Sequence, residues 1–90
     1  MYKRTATIVN ESGLHARPAS DFVQTASRFA ADITIRRVGK EEAANAKSII
    51  FLLSLGIGRG TEVEIAANGP DEQEAVDTLA VLIAAGFGEQ

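Results

Sequence analysis

The apolar residues of this 90-residue chain switch repeatedly between a spacing of two and a spacing of three to four, and that switching constrains the fold more than any other feature. The β-branched segment Tyr2 to Val9 reads as a strand, closed by a turn at Asn10, Ser12 and Gly13. From Pro18 onward, Ala19, Phe22, Val23, Ala26, Phe29 and Ala30 fall on one helical face, with Pro18 near the first helical position, where a missing N–H costs nothing. Ile33, Ile35 and Val38 then alternate with polar residues up to a turn at Gly39-Lys40, and Glu41 to Ala44 is read as a further short strand. Asn45 to Leu55 reads as a short helix, with Asn45 or Ser48 as its N-cap and Gly56 beyond its end. Thr61, Val63 and Ile65 alternate with Glu62 and Glu64 in the clearest strand of the chain. The last helix is entered through Asn68-Gly69-Pro70, with Pro70 at its first position and Asp71, Glu72 and Glu74 in its first turn. Its apolar stripe is Val76, Leu79, Leu82 and Ile83, and Gly86 stops it.

The resulting order is β-α-β-β-α-β-α, with too few helices to cover both faces of one sheet. The expectation is an α+β open-faced sandwich: a four-stranded antiparallel sheet with three helices on one face. A chain this short builds one core, so residues 1–90 are read as one domain.

Composition narrows the chemistry. With no cysteine, disulfides, zinc-thiolate sites and thiol nucleophiles are excluded. The nine Lys and Arg residues are scattered and the net charge is −3, so no nucleic-acid footprint is present. The most strongly apolar stretch, Ile49 to Leu55, is broken by Ser54 and falls far short of the roughly 20 residues that span a bilayer. Met1 leads into strand-like sequence without a targeting pattern, and the expected location is the cytoplasm.

The sole histidine, His15, stands between the Gly13 turn and the helix entered at Pro18. Free amides at a helix start attract anions, and the Arg17 guanidinium adds a fork suited to phosphate oxygens. A neutral imidazole is nucleophilic near pH 7, so His15 is a candidate to attack phosphorus, and the P–N bond formed is labile enough to pass the group on. A surface histidine that merely closes a turn is the plain alternative, and a solvated charge is the plain alternative for Arg17. Ser12 and Ser20 flank the segment as candidate caps or hydrogen-bond donors. No second histidine is present to complete a metal site, and neither metal nor cofactor is expected.

The segment Gly13-Leu14-His15-Ala16-Arg17-Pro18-Ala19 closely resembles the active-site signature of the HPr family of the bacterial phosphoenolpyruvate-dependent sugar phosphotransferase system. Asn45-Ala46-Lys47-Ser48-Ile49, followed by Ser54-Leu55-Gly56, resembles the region around that family's regulatory serine. The likeness extends over essentially the whole chain. It implies an open-faced β-sandwich in which His15 takes a phosphoryl group from enzyme I and gives it to IIA domains of sugar permeases, with Arg17 contacting the phosphate. Such a protein is a carrier and substrate rather than a complete enzyme.

The same resemblance marks Ser48 as a candidate phosphorylation site, with an HPr kinase and a transcriptional regulator as further partners. Ile49, Ile50, Phe51, Leu52 and Leu53 surround a short helix on every side, so some must face outward. Leu52 is assigned to the core by its place in the family pattern, and Ile49, Ile50 and Leu53 form a candidate docking patch that Phe51 would enlarge. Between Gly39 and Ser48 the chain is about two residues longer than is usual in the family. Two other readings share the chemistry or the surface: a regulatory binding module switched at Ser48, and a nitrogen-related phosphotransferase paralogue. A monomer is expected.

Overall fold

The computed structural model describes residues 1–88. Strand β1 (Tyr2–Thr7) is followed by helix α1 (Ala16–Ala26), strands β2 (Asp32–Arg37) and β3 (Ala43–Asn45), helix α2 (Ile49–Ser54), strand β4 (Glu62–Asn68) and helix α3 (Glu72–Ala84). A 3-10 turn over Gly86–Gly88 follows. The strands form one antiparallel sheet in the order β1-β4-β2-β3. Ile65 pairs with Ile35 on one side and Arg4 on the other, so the clearest alternating strand of the sequence sits inside the sheet.

Alternation decides which face is covered. Ile33, Ile35, Val63, Ile65 and Ala67 point inward and are buried, whereas Asp32, Thr34, Glu62 and Asn68 remain exposed on the other face. Phe22 of α1, Leu52 of α2, and Val76, Leu79 and Ile83 of α3 close the core from the inner side. This is the expected open-faced α+β sandwich.

Several boundaries differ from the sequence reading, each for a physical reason. Helix α1 ends at Ala26, so Phe29 and Ala30 lie beyond it. The Arg28 and Phe29 amides turn back to the Thr25 and Ala26 carbonyls at 3.1 and 3.2 Å, and the Ala30 and Ala31 amides leave the helix for the Asp71 carboxylate. Val38 is exposed: it follows the end of β2 and has the parity of Thr34 and Arg36, which belong to the open face. Strand β4 continues past Ile65 through Ala66 and Ala67, both paired to β1 and β2. Asn45 ends β3 rather than capping α2, and its Oδ1 accepts from the Lys47 amide at 2.9 Å. Pro70 precedes the α3 N-cap, Asp71, and Leu82 is only half-buried.

Asp77 fastens α3 to the edge strand. Its Oδ1 accepts from the Tyr2 hydroxyl at 2.9 Å and from the Arg4 guanidinium at 3.0 Å. These bonds, the tyrosine's first, hold the Asp77 carboxyl below its ordinary pKa, while the bond to Asp77 pushes the Tyr2 phenol up. A depressed carboxylate contributes stability that is present above its unfolded pKa and lost as pH falls through the folded one. A raised phenol contributes stability present below its unfolded pKa and lost as pH rises through the folded one. Thermal melts against pH should therefore show a less steep loss of stability in Asp77→Ala than in the parent, both below about pH 4 and above about pH 10.

Candidate functional site

His15 occupies the N-cap of α1 in an extended conformation, and its side chain makes no capping bond. The chain is pinned on either side. Leu14 is fully buried and its amide donates to the Ile57 carbonyl at 2.9 Å, while Pro18 and Ala19 are buried at the other end. His15, Ala16 and Arg17 form the exposed span between these anchors.

The anchors require an unusual backbone. Ala16 has φ of +50°, a left-handed conformation that costs a non-glycine residue roughly 1–2 kcal/mol. Gly13, at φ +70°, crosses the loop after α2 so closely that a Cβ would lie 2.7 Å from the Ile57 carbonyl oxygen and 2.8 Å from Gly58 Cα. Asn10, buried at the turn, donates through Nδ2 to the Gly13 carbonyl at 2.9 Å and to Ser12 Oγ at 3.2 Å.

The start of α1 is electrostatically open. No acidic residue lies in its first turn, the N-cap side chain makes no capping bond, and its amides carry the positive end of the helix dipole. Pro18 is the third helical residue rather than the first, still within the turn whose amides have no helical acceptor. The Arg17 side chain is 89% exposed, and its Nε stands 3.9 Å from Asp21 Oδ2. A surface pair of this kind is worth about 0–1 kcal/mol, so a phosphoryl dianion at His15 would compete with Asp21 for the guanidinium. Neither expected serine is the cap: the position belongs to His15, and Ser20 Oγ accepts from Gln24 at 3.1 Å.

The second region lies on α2, which packs against α1. Ser48 is its N-cap, half-buried, with Oγ accepting from the Phe51 amide at 3.4 Å. Leu52 is fully buried; Ile50 and Phe51 are 75% and 60% exposed, and Ile49 and Leu53 are exposed to a lesser degree. Among the described residues no three His, Cys, Asp or Glu side chains gather as a metal site, and no helix is long and apolar enough to cross a membrane.

The family described as "PTS HPr component phosphorylation site" matches residues 2–85. The chain belongs to the HPr family. A phosphocarrier protein HPr of Vibrio cholerae is 47% identical over 83 residues, covering 92% of this chain and 95% of its own. Among solved structures, an HPr of Thermoanaerobacter tengcongensis superposes with a TM-score of 0.94 at 47% identity, covering 100% of this chain and 99% of that one. A dimer of HPr from the same organism superposes at 0.76, again at 47% identity, covering 99% and 100%.

Within this HPr-family site, the reading of the sequence did not find the Gly13 crossing, the buried Asn10 or the left-handed Ala16. The glycine run at Gly56, Gly58 and Gly60 is the local signal of a close backbone approach there. Gly13→Ala tests that crossing: its Cβ meets backbone on the far side, and overpacking of this kind costs about 1–3 kcal/mol. Urea unfolding should show the midpoint falling accordingly, with the Leu14 amide losing protection against hydrogen exchange.

Proposed function

We propose that His15 is the phosphoryl acceptor and Arg17 its phosphate partner. As a member of the HPr family, the chain is a phosphocarrier of the phosphoenolpyruvate-dependent phosphotransferase system, and it works with that system's enzymes. The observation that supports the two residue roles is the uncapped, acid-free start of α1, with an exposed imidazole at the N-cap and a loosely paired guanidinium two residues on.

The step balances without a further reactant. The lone pair of one ring nitrogen attacks phosphorus, the P–N bond of His15 forms, and the bond to the donor breaks with its electron pair returning to the donor. Charge on the transferring oxygens is met by the Arg17 guanidinium and the amides of the first turn of α1. The second transfer is the same step with His15 as the leaving group. Donor and acceptor supply the remaining positioning, which is why so small a protein carries no full catalytic constellation.

Enzyme I is the donor and IIA domains of sugar permeases are the acceptors in this reading, and Ile49, Ile50 and Leu53, with Phe51, are the apolar surface they meet. Ser48 is the candidate regulatory position: phosphate there would add charge beside that surface, through an HPr kinase, and change which partners, including a transcriptional regulator, dock. In this reading the carrier works in the cytoplasm as a monomer, which leaves the α2 surface open to its partners. Sedimentation of the free protein checks the last point.

Incubation with phosphoenolpyruvate and enzyme I, followed by mapping of the acid-labile phosphate, tests the acceptor. His15→Ala should fold as the parent does by circular dichroism and take up no label; label retained on that variant would remove His15 from the role. Arg17→Ala should keep its stability and transfer roughly 10- to 100-fold more slowly in rapid-quench measurements. A parental rate would leave the guanidinium without a function.

A further inference from the structure

Lys47 lies one residue before the Ser48 cap, half-buried, and its ammonium is committed to the protein's own backbone. Nζ donates to the Phe29 carbonyl at 2.6 Å, on the segment that follows α1. The next two amides of that segment, Ala30 and Ala31, donate to the Asp71 carboxylate at 2.8 and 2.9 Å. Residues 29–31 are thus gripped from both sides, by the lead-in of α2 through a carbonyl and by the N-cap of α3 through two amides. Gly69 backs the same segment, where a Cβ would lie 2.6 Å from Ala31 Cα. The Asp71 carboxyl is held below the usual range chiefly by the Ala30 amide, and the nearby Lys47 charge acts in the same direction.

Helix α2 needs such a grip. At six residues it is too short to persist alone, and Leu52 is its one buried side chain. The cap bond from Phe51 is long at 3.4 Å. Leu52 and the C-cap Leu55 anchor the C-terminal half of the helix in the core, whereas its first turn buries no side chain and can swing. A second fixed point sets its angle, and the Asn45 Oδ1 bond to the Lys47 amide places the lysine for that purpose.

We infer that Lys47 is a positioning residue for docking: its bond to the Phe29 carbonyl sets the angle at which α2 presents Ile50, Phe51 and Leu53 beside α1. The inference rests on the reading that this surface receives the partners. Lys47 touches no reacting atom, and the His15 segment is held elsewhere, by Leu14 and Pro18.

Lys47→Met, which keeps the apolar stem and loses the donor, is compared with Lys47→Arg, which keeps a donor, and with Asp71→Ala, which loosens the other side of the grip. In the free protein, exchange of the Leu52 amide, bonded to the Ser48 carbonyl at 3.0 Å, should quicken about tenfold in Lys47→Met and return toward the parental rate in Lys47→Arg. With enzyme I as donor, KM for the carrier should rise about tenfold in Lys47→Met while kcat stays near the parental value. Asp71→Ala removes a charge of opposite sign, so a KM rise there as well separates positioning from charge attraction to a partner. Unchanged Leu52 exchange overturns the inference, as does faster exchange with parental KM. A KM rise confined to Lys47→Met without faster exchange would instead make Lys47 a direct partner contact. A parent chain that accepts no phosphate would overturn the carrier reading itself, and with it any part for Lys47 in docking.

Discussion

Where Gly13 crosses Ile57 and Gly58, two backbones meet so closely that no side chain fits between them. The Leu14 amide closes the contact on the Ile57 carbonyl, and Leu14 itself sinks into the core. The turn that carries His15 is therefore an extension of the loop between α2 and β4. With Pro18 and Ala19 buried a few residues later, the chain has one short interval in which to change direction, and the left-handed Ala16 is where it does so. Residues held in such conformations persist because their surroundings over-determine them. Here the surroundings are two buried anchors, and the outcome is an imidazole turned outward at the positive end of a helix.

The parts of this architecture that were legible in the sequence are those with a strong period. Thr61 to Ile65 reads as a strand because charge and β-branched residues alternate without exception, and the α1 stripe from Ala19 to Ala26 reads as a helix for the corresponding reason. Legibility failed where long-range hydrogen bonds take over. Nothing local announces that Ala30 and Ala31 give their amides to Asp71, forty residues on, and the apolar spacing alone continues the helix to Ala30. Ala66 and Ala67 carry no β-preference and become strand because β1 and β2 pair with them. At the site, the residue types of His15 and Arg17 were readable, whereas the conformation that makes them accessible was not, since alanine gives no sign of a positive φ.

The three helices differ in what holds them. Helix α3 is secured along its length, by Val76, Leu79 and Ile83 beneath it and by Asp77 on Tyr2 and Arg4 at its side. Helix α1 is tied at both ends. Helix α2 has the least burial and the most exposed apolar surface, so a small polar junction at its start carries more weight than the same bonds would elsewhere. Stability within a small domain is uneven in this manner, and the elements with few buried contacts are those whose arrangement responds to single bonds.

The brevity of the exposed interval between Leu14 and Pro18 also limits how traffic through this protein can run. A stable protein–protein contact covers about 800 Å² on each partner, roughly a sixth of the 4966 Å² surface of this chain. Three residues supply little of that, so any partner reaching His15 must also cover the ground around it. Two partners would claim the same ground. With His15 as the acceptor proposed above, no complex would hold giver and receiver together on one copy, and each phosphoryl group would travel by a full cycle of release, diffusion and recapture. Flux through such a relay depends on how many copies are in transit, a quantity set by abundance together with the speed at which each encounter releases.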